Sequence, residues 1–168
     1  GPIKEFDFDV AILFSDILFI LEGLGLPLKF DPGPIFSDKL IGKNINQFQN
    51  IDKAISHLDF QREAIKLTKN KLPDNKSLIG FVGGPYTLIK YAIGKNNKVS
   101  LKDNSFEIDY IKNILLPLLI KNIKLQLDAG AEIVMIFDSG LTGIDFNDFE
   151  NIYLEILKKI SETFKNKV

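Results

Sequence analysis

The stretch SLIGFVGGPYTLIKY, residues 77–91, decides the fold. Its first six residues, SLIGFV, are apolar without polar alternation. A strand with one face in water alternates, so this run reads as a strand buried on both faces, as in a parallel sheet. Two glycines and Pro85 follow, just ahead of a segment with helical character. That is a strand-to-helix turn with proline near the helix start. The glycines let a ligand or another backbone come close, and a helix start offers N–H groups to an anion. The alternative is a plain tight turn. The pattern is neither GxGxxG nor a Walker loop, so it does not point to a nucleotide.

Two more runs of the same kind lie outward from it. VAILF (10–14) and EIVMIF (132–137) are also Ile-, Val- and Phe-rich and also stop abruptly. Amphipathic stretches lie between and after the three. Residues 45–70 form one, with a break expected near His57 to Phe60. Residues 106–130 form a long helix that contains Pro117 and ends at Gly130. Residues 145–168 begin with acids and end with lysines, as a helix dipole favours. The order strand, helix, strand, helix, strand, helix predicts an α/β protein with parallel strands and right-handed crossovers. The Pro- and Gly-rich segment 28–40 and the polar segment 94–105 read as loops.

All three strands end in small or acidic residues: FSD (14–16), VGGP (82–85) and FDSG (137–140). In parallel α/β folds the strands' C-terminal ends carry the site, because the following loops converge there. Asp16 ends a buried strand and precedes an apolar segment, where a carboxylate needs donors. It reads either as an acceptor or counter-charge for a ligand, or as an N-cap of the next helix. Asp138 and Ser139 occupy the third tip. A serine nucleophile needs a base, and the only histidine, His57, lies in the helical stretch between the first two strands; GxSxG is absent, which excludes a hydrolase triad.

Composition removes other classes. The chain has 168 residues, 45% hydrophobic and 26% charged, with net charge −1. That balance gives no electrostatic case for nucleic acid or an anionic membrane. With no cysteine, disulfides, thiolate metal sites and a cysteine nucleophile are excluded. No apolar run approaches the ~20 residues of a membrane helix. Arg62 is the only arginine among 21 basic residues, so a bidentate anion clamp is hard to build. The chain reads as a piece of a longer protein, one partial domain over residues 1–168, with Gly1-Pro2 resembling an expression scar.

DVAILFSDIL (9–18), GPIF (33–36), SLIGFVGGPYTLIKY (77–91) and AGAEIVMIFDSG (129–140) together resemble the uroporphyrinogen decarboxylase family, and in that family's order. The resemblance implies a (β/α)8 TIM barrel, of which this chain is about strands 2–4 with their helices. It implies removal of carbon dioxide from the four acetate arms of uroporphyrinogen, giving coproporphyrinogen, with no cofactor and no metal. It also implies a cytoplasmic homodimer. Carried over by motif, Asp16 accepts the pyrrole N–H bonds and stabilises the protonated pyrrole. Tyr91 sits near the reacting acetate. Ser139 binds a substrate carboxylate. Phe14, Ser15, Ile17, Gly83 and Gly84 line the cleft.

The chain departs from the family pattern in several places. Tyr86 stands where the family has Trp, and GLTG (140–143) follows FDS. The family's upstream arginine-bearing segment and its downstream histidine region are not among these residues. The chain alone is therefore expected to be inactive. Two competing readings are a corrinoid-linked methyltransferase of the same superfamily and a non-catalytic tetrapyrrole-binding segment.

Overall fold

The structure is a computed structural model and describes residues 1–42 and 44–168. Pro2 opens a short helix, α1 (Pro2–Phe6). The next elements are β1 (Val10–Ile12), α2 (Phe19–Gly23) and an antiparallel pair, β2 (Leu28–Phe30) and β3 (Pro34–Phe36). Then come α3 (Ile51–His57), α4 (Asp59–Lys69), β4 (Ser77–Gly83) and α5 (Pro85–Ile93). The chain continues through α6 (Phe106–Tyr110), α7 (Leu116–Asp128), β5 (Ile133–Phe137), α8 (Phe146–Asp148) and α9 (Leu154–Phe164). The break expected near His57 falls at Leu58, between α3 and α4. His57 is a surface residue, its Nε2 3.0 Å from Glu22 Oε2.

The sheet order is β1-β4-β5, all parallel. Ile12 pairs with Ile79, Ile79 with Ile133, and Gly83 with Phe137. Side chains alternate along a strand, so Ile12, Ile79, Phe81, Met135 and Phe137 share one face. Leu78, Gly80, Val82 and Val134 share the other and are buried under the helices. Gly80 has a steric reason: a Cβ there would meet Gln126 Oε1 of α7 at 2.2 Å. Gln126 Nε2 donates to Phe81 O at 3.0 Å, which ties α7 to the middle strand.

The expectation of burial on both faces fails for the outer strands. Ile12 is 55% exposed, Phe14 87% and Phe137 40%. In the barrel that the family resemblance implies these residues face inward, and three strands cannot close one. The apolar run records the closed barrel, while only the helix-side face is covered here. Past α9 the chain returns to the sheet, where Lys167 O accepts the Val134 N–H at 2.8 Å on the free side of β5.

Segment 28–40, expected to be a loop, holds the β2–β3 hairpin. The turn closes through Asp31 N–H to Gly33 O at 2.9 Å. The long helix 106–128 accommodates Pro117 as expected. Ile111–Leu115 is wound one residue wider, so that the Leu116 N–H reaches back to Ile111 O. Ser105 caps its start through the Ile108 N–H, and Gly130 ends it at φ +115°. Among the described residues no helix is long and apolar enough to cross a membrane.

Candidate active site at the strand tips

The three strand ends meet. Ile17, just past β1, packs on Gly83 at the end of β4. A Cβ on Gly83 would lie 3.2 Å from both Ile17 Cβ and Ile17 O. Gly84 lies under Asp138, just past β5; a Cβ on Gly84 would fall 2.1 Å from Asp138 Cγ. Gly84 N–H donates to Phe137 O at 2.8 Å. The two glycines are thus the contact surfaces through which the tips of β1, β4 and β5 touch. Both are buried.

Asp16 is half-buried, and its Oδ1 accepts the Leu18 N–H at 2.7 Å. This is a turn of Asp16 on its own backbone ahead of the helix; the N-cap reading is not met, because α2 is capped at Leu18 with no side-chain cap bond. Beside it the ring of Phe14 lies 5.7 Å from that of Phe81, and Phe81 lies 5.4 Å from Phe137. The three rings form an aromatic row across the uncovered face. Ser15 lines a cavity of about 220 Å³ with Leu13, Phe60, Gln61 and Phe81. Gln61 Oε1 is buried there without a hydrogen-bond partner among the described residues.

The expectation of free N–H groups at the start of α5 is not met. Pro85 has none to offer. Tyr86 N–H donates to Tyr153 Oη at 2.9 Å, Thr87 N–H to Asp138 Oδ1 at 2.7 Å, and Leu88 N–H to Gly84 O at 3.0 Å. Asp138 also accepts the Tyr153 hydroxyl on its second oxygen. Thr87 Oγ1 accepts the Gly140 N–H at 2.8 Å. Asp138 is therefore a structural cap joining β5, α5 and the helix that carries Tyr153. Burial, with Asp138 adding to it, pushes the Tyr153 hydroxyl well above the ordinary tyrosine range. Burial also raises Tyr86, helped by Asp148 and Asp138.

Ser139 is exposed and opens a turn of 3-10 helix, Ser139–Gly143. Tyr91 is half-buried, about 9 Å beyond the start of α5 at 1.5 Å rise per residue. It lines a second cavity of about 250 Å³, with β3, Lys39 and Lys95. The structure thus gathers Phe14, Asp16, Ile17, Gly83, Gly84 and Asp138 at one end of the sheet, and gives Tyr91 a neighbouring cavity. Sequence reasoning missed Tyr153 and Thr87. Tyr153 sits within a helical repeat, and nothing local marks its partner 15 residues earlier.

A family model described as Uroporphyrinogen decarboxylase (URO-D) matches residues 1–168. A uroporphyrinogen decarboxylase of Orientia tsutsugamushi (strain Ikeda) is 36% identical over 176 residues, covering 99% of this chain and 50% of that protein. One from Campylobacter jejuni (strain 81-176) is 33% identical over 177 residues, covering 99% and 52%. The chain spans about half the length of the curated relatives it matches. A methyltransferase from Methanosarcina mazei superposes with TM-score 0.82 at 14% identity, over 98% of this chain and 51% of that one. That likeness fixes the fold as a portion of a (β/α)8 barrel. Matched from its first residue to its last, the chain belongs to the uroporphyrinogen decarboxylase family.

Proposed function

We propose that this chain is part of a uroporphyrinogen decarboxylase, which turns the four acetate arms of uroporphyrinogen III into methyl groups. The observation that carries the reading is Asp16. It follows β1 two residues after Phe14, which belongs to the aromatic row, and its Oδ1 accepts the Leu18 N–H. Protonation of a pyrrole carbon creates a cation. That cation accepts the electron pair of the C–C bond as carbon dioxide leaves, the exocyclic methylene then takes a proton to become methyl, and the ring carbon gives up the proton it took first, which restores the pyrrole. An ionised acceptor among apolar walls strengthens bonds from the pyrrole N–H groups and opposes the positive charge. Phe14 and Ile17 flank the macrocycle, Ser15, Gly83 and Gly84 form the adjacent wall, Ser139 holds a carboxylate, and Tyr91 lies by a reacting arm. The reading takes the whole enzyme to be a cytoplasmic homodimer working without a cofactor.

The test is a chimera in which this chain replaces the matching half of the Orientia tsutsugamushi relative, assayed anaerobically with uroporphyrinogen III. Products are oxidised and separated by carboxyl number. Formation of coproporphyrin, cut ~10²–10³-fold by Asp16→Asn, is expected. A folded chimera that makes no product, or one indifferent to Asp16→Asn, refutes the assignment.

A further inference from the structure

The cavity beside Tyr91 is lined by two lysines, and among the described residues no carboxylate pairs with either ammonium group. Lys39 runs over Gly94. A Cβ at that glycine would meet Lys39 Cε at 3.2 Å and Nζ at 3.3 Å, and Gly94 has φ +100°. Lys95 Nζ stands 4.7 Å from the centroid of the Tyr91 ring. Both lysines line the cavity, with Asn96 and Asn97.

The ordinary role of lysines at a helix end is to meet its unpaired carbonyls and its negative dipole end. Here the last three carbonyls are already met. Tyr91 O accepts the Gly94 N–H at 3.1 Å, Ala92 O accepts the Leu40 N–H at 2.8 Å, and Ile93 O accepts the Asn97 side-chain amide. Among the described residues neither lysine has a carboxylate within salt-bridge distance. Asp38, the acid next in sequence, turns an oxygen to the Lys39 N–H at 2.8 Å.

We infer that Lys39 and Lys95 form a carboxylate clamp, which takes one acidic arm of the substrate into the cavity beside Tyr91. The inference rests on the proposed function for the identity of the substrate. It addresses a chemical difficulty of that reading: the substrate is a polycarboxylate and the chain has one arginine, Arg62, which pairs with Asp59 on the surface of α4. Lysines are point charges, so each holds one oxygen of the arm, and two together replace a guanidinium fork.

The test uses the 168-residue chain, equilibrium dialysis against uroporphyrinogen III under argon, and quantitation after oxidation. Lys39→Met, Lys95→Met and the double variant are compared at low and moderate salt, with folding checked by circular dichroism. The propane tricarboxylate tricarballylate serves as a second, non-tetrapyrrole probe. Each single variant is expected to weaken uroporphyrinogen binding ~3- to 5-fold and the double about 10-fold or more, with a shallower salt dependence. If the wild type binds uroporphyrinogen and the double variant binds it equally well, the clamp is refuted while the proposed function stands. If tricarballylate binds in a lysine-dependent manner and uroporphyrinogen does not bind, the clamp on a tetrapyrrole arm is refuted, and the proposed function is left to the chimera. If neither probe binds, the clamp is refuted.

Discussion

Tyr153→Phe tests the junction that holds the strand tips together. The Tyr153 side chain is fully buried. Its hydroxyl donates to Asp138 and accepts the Tyr86 N–H at 2.9 Å. Removing it leaves one buried N–H and one carboxylate oxygen without a partner, at about 1–3 kcal/mol each. The net loss should be about 2–4 kcal/mol, a large share of the ~5–15 kcal/mol that holds a domain folded. Urea denaturation at neutral pH, with an unchanged slope against denaturant, measures it. The same tyrosine sets an alkaline limb. An unfolded tyrosine ionises near 10, whereas the buried one keeps its proton well above that value. Above pH 10 the unfolded state therefore binds fewer protons than the folded state, and stability falls as pH rises. Each such tyrosine contributes a slope of about 1.4 kcal/mol per pH unit, and Tyr86 and Tyr110 shift the same way. Tyr153→Phe should lower the neutral plateau and make this limb shallower by one proton. A loss under about 0.5 kcal/mol, or an unchanged alkaline slope, would mean that the hydroxyl is not the joint described.

Gly84→Ala places a methyl carbon 2.1 Å from Asp138 Cγ, so the tip of β5 must move away from α5. A stability loss of about 1–3 kcal/mol is expected, read by thermal unfolding, and a neutral outcome would show that the tips are not in contact. The uncovered face makes a separate prediction. With Phe14, Ile12 and Phe137 exposed, the chain should self-associate as its concentration rises, and Phe14→Asp with Met135→Lys should shift it toward monomer. Sedimentation velocity decides this, and a wild-type chain that stays monomeric at high concentration contradicts it.

Much of the fold was legible because apolar runs of strand length and helical periodicity are local signals. SLIGFVGG gave β4, and the order of elements gave the parallel sheet. What escaped depends on partners distant in sequence. The β2–β3 hairpin hid in a Pro- and Gly-rich segment, because cross-strand pairing rather than alternation defines it. Exposure of Ile12 and Phe137 was legible only through the partial-barrel reading, which leaves an apolar inner face open; the apolar runs alone record the environment of a closed barrel. At the site, two aspartates with the same signature have different surroundings. Asp16 bonds within its own turn, whereas Asp138 reaches across to α5 and Tyr153. A strand-tip aspartate can be read from sequence; whether a neighbouring helix start lies within its reach cannot.

That difference bears on how an acidic ligand is met. Gly-Gly-Pro before a helix suggested anion capture by backbone N–H groups, yet Asp138, Tyr153 and Gly84 occupy every such group in the first turn of α5. An acid group brought to those N–H groups would find them already taken, two of them by the half-buried Asp138 and by Tyr153, whereas the exposed Ser139 hydroxyl beside them is open to solvent. The opposite end of α5 has the complementary arrangement. Its last three carbonyls are already hydrogen-bonded, and Lys39 and Lys95 remain without acidic partners among the described residues. Along this helix the dipole therefore loses to side-chain charge at both ends. The anionic cap lies where the dipole would attract a ligand's acid group, and the cations without acidic partners lie where it would repel one. Recognition of a carboxylate next to Tyr91 thus follows from which local charges are already paired, and not from the direction of the helix.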